Sequence, residues 1–221
     1  MPTQIATSYA RGDVLATNKL LRNTYMLLSL TLLFSALTAT ISVFLKLPPM
    51  TYLIAVGGSI VLLWFVLPRT ANSAAGLGVV FAITGLLGLG LGPLLSAYLS
   101  MPNGGQVVAL ALGGTGVIFL GLSGYALTTR RDFSFMGGFL FVGMLVVLGA
   151  ALVNIFFQVP AMSLAISAVV VVLMSGFILF DTSRMIHGGV DNYILATIGL
   201  YMNIFNLFVS LLQLLGLARD E

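Results

Sequence analysis

Asp181, Arg184 and His187 fall at three-residue intervals in "FDTSRMIH" (180–187), at the end of an apolar run that begins near Pro160. Side chains at i and i+3 meet on a helix, which lets Arg184 pair with Asp181. An ionisable group at membrane depth is expensive and is a functional candidate by default, with a partner to be found. Two arrangements suit Asp181: an ion pair with Arg184 at the membrane interface, or an inward turn toward polar groups on another segment. Such groups exist. Asn203, Asn206, Ser210 and Gln213 follow i, i+3, i+7, i+10, so they form a stripe on one helix face. Facing lipid, the amides would leave costly unsatisfied groups. The stripe therefore faces protein or water near the middle of a bundle, as structural glue or as the lining of a pathway. Asp181, Asn203, Asn206 and Arg184 are the candidates for pH sensing or ion passage, and Asp181 is the candidate metal ligand.

No catalytic constellation accompanies them, so the chain is not read as an enzyme. The single histidine stands beside Gly188 and Gly189, without the H-E-x-x-H spacing or a second histidine ligand. There are no cysteines, which excludes disulfides, thiol catalysis and cysteine-ligated metals. "GGTG" (113–116) lies inside an apolar span with no strand before it and does not read as a phosphate loop. The other acids, Asp13, Asp132, Asp191, Asp220 and Glu221, sit in loops or tails, so an intramembrane pair of aspartates is missing.

The elements that carry these residues are membrane spans. Of 221 residues, 59% are hydrophobic and only 7% charged, and the mean hydropathy is +1.13. A soluble domain carries roughly 25% charged residues, so too few are present here to build a surface facing water. Seven apolar segments can be drawn, at about 24–45, 50–67, 74–99, 106–127, 135–157, 161–180 and 193–217. Each is close to the ~17–25 residues that cross a bilayer. Proline, glycine or polar punctuation marks every break, as in "KLPP" (46–49), "SMPNGG" (100–105) and "DTSRMIHGGVDN" (181–192). The expected organisation is a polar cytoplasmic tail (1–22) and one seven-helix transmembrane domain (23–221) in a lipid bilayer. The seventh segment is the most polar and is alternatively re-entrant. A net charge of +3 is too small to suggest nucleic acid. Its distribution reports topology instead: seven basic residues (Arg11, Lys19, Arg22, Arg69, Arg130, Arg131, Arg184) fall on one side and two (Lys46, Arg219) on the other. The positive-inside rule then puts the N-terminus in the cytoplasm and, after seven spans, the C-terminus outside.

Two further patterns belong to helix packing. Thr31, Ser35, Thr38 and Ser42 lie on one face of the first segment, as small hydroxyl residues do where helices approach closely. The third segment holds Gly88 and Gly92 four apart, followed by Pro93. Gly92 and Pro93 are read either as a packing face with a proline kink or as a hinge lining a cavity.

"LFDTSRMIHGG" followed by "YILATIGLYMNIFNLFVSLLQLLG" (193–216), with "GLGPLLSAYL" and "RNTYMLLSLTLLFSALTAT" (22–40), resembles the Bax inhibitor-1 family. The likeness is to its bacterial inner-membrane branch, the YccA proteins, and covers nearly the whole chain. It implies seven helices, six of them arranged around a central seventh. It also implies a non-enzymatic modulator that binds and restrains FtsH, the membrane-bound AAA protease that extracts and degrades membrane proteins. In that case the tail would be offered to the protease while the bundle resists extraction. Other members of the family resemble pH-sensitive calcium leak channels, gated by two aspartates that share a proton. Asp181 matches the first of these; at the second, in "LYMNIFNLF", this chain has Asn203. An amide titrates nothing, and a single carboxylate makes a weaker calcium site than a pair. The resemblance therefore favours the protease modulator, with a calcium or cation leak as the alternative.

Overall fold

The computed structural model describes the backbone of residues 2–217 and the side chains of residues 15–216. The side chains of Arg11, Asp13, Arg219, Asp220 and Glu221, and with them most of the polar tail and the C-terminal charges, lie outside the described residues.

The elements are α1 (Pro2–Phe44), α2 (Met50–Thr70), α3 (Ala74–Leu99), α4 (Gly104–Thr129), α5 (Gly137–Phe157), α6 (Pro160–Ile186) and α7 (Tyr193–Leu217). Among the described residues there is no strand, and all seven helices are long and apolar enough to cross a bilayer. Helices α3 and α7 begin and end where the apolar runs do. The seventh segment is one unbroken helix.

Three boundaries differ from the sequence reading. Helix α1 starts at Pro2, well before the apolar run that begins near residue 24, so the polar stretch before Arg22 is helical in backbone terms. Its 43 residues span about 65 Å at 1.5 Å per residue, twice a ~30 Å hydrocarbon core. Helix α2 continues through Pro68 to Thr70. A single wide turn, Leu62–Val66, in which the Leu67 N–H reaches back to the Leu62 carbonyl, takes up the space that the proline ring needs. Helix α6 runs past Asp181 to Ile186. Thr182, Ser183 and Met185 are buried, so the polar letters after residue 180 prolong the packed face and do not end it.

Helix α7 is the centre. In its most apolar stretch 67% of residues are buried, against 11% in α5. It packs directly on α1, α3, α4 and α6, while α2 lies outside α3 and α5 lies outside α6. The six other helices thus surround it in two layers. Tyr201 of α7 is fully buried; Ser35 of α1 meets its hydroxyl at 2.6 Å, and that hydroxyl donates to the Thr84 carbonyl of α3 at 3.3 Å.

The closest seam joins α1 and α3. A Cβ at Gly88 would collide with the Ser35 carbonyl and the Thr38 hydroxyl, and one at Gly92 would collide with the Ser42 side chain. The hydroxyl face of α1 therefore lies against the glycine face of α3, the close-packing use of small residues in membranes. Helix α3 passes through Pro93 without a break. Proline has no N–H, so the carbonyl four residues back, Leu89, loses its helical donor. Ser42 Oγ donates to that same Leu89 carbonyl at 2.7 Å. Gly92 lets the serine approach, Pro93 frees the acceptor, and Ser42 fills it. Ser42→Ala is expected to cost about 1–3 kcal/mol by stranding the carbonyl. Much less is expected in a Pro93→Ala background, where the backbone N–H returns. A double-mutant cycle on unfolding in detergent measures the difference, and additivity of the two changes would break the link.

Candidate functional site

Asp181 lies inside α6, more than a turn before its end, and faces α7. Asn203 Nδ2 donates to Asp181 Oδ2 at 2.7 Å, with Asn203 itself buried. The inward turn is the arrangement present. Arg184 does not take the other: its Nη2 donates to the Gly189 carbonyl at 2.8 Å, and its guanidinium lies 5.4 Å from the centre of the Phe180 ring. The cause is local. Helix α6 ends in a left-handed turn at Gly188 (φ 75°), and the Gly189 N–H bonds the Arg184 carbonyl at 2.8 Å. That turn folds the Gly189 carbonyl back within reach of the arginine fork.

The amide stripe of α7 is divided among partners. Asn206 Nδ2 donates to the Met202 carbonyl of its own helix at 2.8 Å, away from Asp181. Ser210 is buried. Gln213 accepts from Ser167 of α6 at 2.7 Å near the opposite end of the bundle. There Asn154 of α5 donates to Ser163 at 2.7 Å and accepts from the Val159 N–H at 3.0 Å, which closes the turn between α5 and α6. Asn203 and Gln213 thus fasten α7 to α6 at two levels. Gly92 and Pro93 lie in the α1–α3 seam, at the level of Ser42.

Asp181 lines a cavity of about 640 Å³ at the end of the bundle where α6 stops and α7 starts, together with Asn72, Arg184, Asp191, Asn192 and Gly199. Asn192 organises its rim. Its Oδ1 accepts from the Ile194 and Leu195 N–H groups at 2.8 and 3.2 Å, capping α7. Its Nδ2 donates to the Ala71 carbonyl at 2.9 Å and to Asn72 Oδ1 at 2.7 Å, which ties the α2–α3 turn down. An asparagine just before a helix is a readable cap signal; its second task depends on a turn 120 residues away and has no local signal.

The α4–α5 loop is fastened to the same end. The Phe133 N–H donates to Ser183 Oγ at 2.9 Å, that oxygen lies 3.3 Å from the Arg131 carbonyl, and His187 Nε2 lies 3.1 Å from the Arg130 carbonyl. Within the loop, Asp132 Oδ1 accepts from the Ser134 N–H at 2.8 Å. The Ser134 hydroxyl and N–H hold the Asp132 carboxyl below its ordinary value, with a smaller contribution from the charge of His187.

The sequence that builds this bundle matches a known family. A family described as "inhibitor of apoptosis-promoting Bax1" matches residues 17–220. The chain belongs to the Bax inhibitor-1 family. Bax inhibitor-1 relatives align with it almost end to end. A protein of Escherichia coli K12 named "Modulator of FtsH protease YccA" is 51% identical over 217 residues, 98% of either chain. The corresponding protein of an Escherichia coli O6:H1 strain, named "Inner membrane protein YccA", is 51% identical over the same length. An uncharacterized membrane protein of Vibrio cholerae is 51% identical over 207 residues, 94% of this chain and 93% of its own.

Proposed function

We propose that this Bax inhibitor-1 protein is a non-enzymatic protein of the bacterial inner membrane that binds a FtsH-type protease complex and restrains it. The observation that carries the reading is 51% identity over 98% of both chains to a protein named as a modulator of that protease. In this reading the N-terminus and the 640 Å³ cavity face the cytoplasm and the C-terminus the periplasm, which the distribution of basic residues supports. The polar residues at the start of α1, within the stretch that ends at Arg22, are the segment offered to the protease. The α1–α3 seam and the ties around α7 resist removal of the bundle behind it.

A tagged copy is expected to co-purify with the protease, and its overproduction to lengthen the half-lives of the protease's membrane substrates severalfold. Absence of both effects would end the reading. Deleting residues 2–14 is expected to weaken both, and if both survive the deletion, the segment has no part in restraint.

Asp181 and Asn203 act in this reading as a lock between α6 and α7. Calcium takes roughly six to eight oxygen ligands and favours anionic ones. Here Asn203 turns its N–H toward Asp181, so the pair itself offers one carboxylate and one amide oxygen, and among the described residues no group of three or more acidic, histidine or cysteine side chains could hold a metal. That donor set does not fit calcium, and the leak-channel alternative is the weaker one. Calcium flux into liposomes that is present in the wild type and lost in Asp181→Asn would reverse the order.

A further inference from the structure

His187 is placed between two backbone carbonyls. Nδ1 lies 2.9 Å from the Ser183 carbonyl and Nε2 lies 3.1 Å from the Arg130 carbonyl. A neutral imidazole has one N–H and fills one of these acceptors; an imidazolium fills both. The Ser183 hydroxyl is also shared. It lies 3.3 Å from His187 Nδ1 and 3.3 Å from the Arg131 carbonyl, and it accepts from the Phe133 N–H at 2.9 Å in either case.

We propose that His187 and Ser183 form a pH-operated latch that sets how firmly the α4–α5 loop is docked on the end of α6. With two protons on the ring, Nδ1–H bonds the Ser183 carbonyl, which releases the serine hydroxyl to donate to Arg131. The loop is then held by three bonds: His187 to Arg130, Ser183 to Arg131, and Phe133 to Ser183. With one proton, the ring keeps Nε2–H on Arg130, and Nδ1 becomes an acceptor for the Ser183 hydroxyl. The Arg131 carbonyl loses its donor, and two bonds remain. Docking tightens as pH falls and the ring gains its second proton, and loosens as pH rises and the ring gives that proton up.

The charged groups around His187 do not duplicate this behaviour. From the loop, Asp132 interacts with its charge, and its carboxyl is held below its ordinary value, so it stays ionised across the window. Arg130 and Arg131 carry guanidinium groups, a type of side chain that does not lose its proton in proteins. On α6, Arg184 is committed to Gly189 and Phe180. From the α6–α7 turn, Asp191 shares a cavity of about 490 Å³ with His187, and among the described residues α1 contributes Ala16, Thr17 and Leu20 to its wall.

The chain has one histidine, so its imidazole ¹⁵N signals need no assignment by mutation. In the intact protein in micelles, both ring nitrogens are expected to carry protons at low pH, and the Nε2–H tautomer is expected at high pH. Hydrogen exchange at Phe133, corrected for its intrinsic pH dependence, is expected to speed up about 2- to 10-fold across the same transition, the effect of one net hydrogen bond. In His187→Gln that step disappears. The latch is overturned by an Nδ1–H tautomer at high pH, by protection at Phe133 that stays constant through the ring's titration, or by a pH step that persists in His187→Gln.

Discussion

Gly88→Ala is expected to destabilise the protein by about 2–3 kcal/mol, although alanine is the better helix former. The added Cβ meets the Ser35 carbonyl and the Thr38 hydroxyl of α1. The carbonyl is backbone and cannot turn aside, so the helices must separate along a seam that also carries Ser42 and Tyr201. Overpacking of this kind costs about 1–3 kcal/mol and occasionally more. Gly78, on the same helix, has nothing within 4 Å of such a carbon. Gly78→Ala is therefore expected to be neutral or to stabilise by up to about 1 kcal/mol, the ordinary gain of helix propensity. Denaturant titration of both variants in one detergent compares them directly. Equal effects of the same sign would mean that the seam is not a close contact.

Asn203→Leu is the second large effect expected, a loss of about 2–3 kcal/mol. The substitution removes the donor 2.7 Å from Asp181 Oδ2 and leaves a carboxylate facing an apolar side chain inside the bundle. Hydrogen bonds to charged groups contribute about 1.5–3 kcal/mol, and stranding one partner is worse than removing both. The combined Asp181→Leu, Asn203→Leu variant is accordingly expected to be more stable than Asn203→Leu alone. If the double variant loses the sum of the two single losses, the pair is not a coupled unit. The readout is again equilibrium unfolding, with retained helical circular dichroism as the check that each variant folds.

Much of the architecture is legible in the residues because the bilayer imposes length and the breaks are chemically marked. The ends of α3 and α7 follow from apolar runs closed by polar or proline-containing turns. The end of α6 is hidden, since "DTSR" looks like a surface loop when read locally. Thr182 and Ser183 are in fact buried against neighbours that satisfy them. The approach of Asn203 to Asp181 is readable, because a carboxylate on one helix and an amide stripe on another have few other places to go. Arg184 shows the reverse. Its spacing permits an ion pair with Asp181, but a left-handed glycine turn offers a nearer carbonyl, and only the turn's geometry decides between them. The Ser42–Leu89 bond is harder still. Proline at 93 announces an orphaned carbonyl, yet nothing nearby says which hydroxyl, 47 positions earlier in the chain, will reach it.

The placement of the α1–α3 seam also has a mechanical consequence. Helix α1 carries the N-terminus and lies alongside α3, with Ser35, Thr38 and Ser42 set into the glycine face over about two turns. A force pulling α1 along its axis from the Pro2 end loads those contacts in shear, together with the Ser35–Tyr201 bond, so they must fail nearly at once. Peeling would meet them one at a time. Forced unfolding is governed by the unfolding rate, and simultaneous rupture raises its barrier. A machine that pulls from this end therefore loads these contacts together and not in turn.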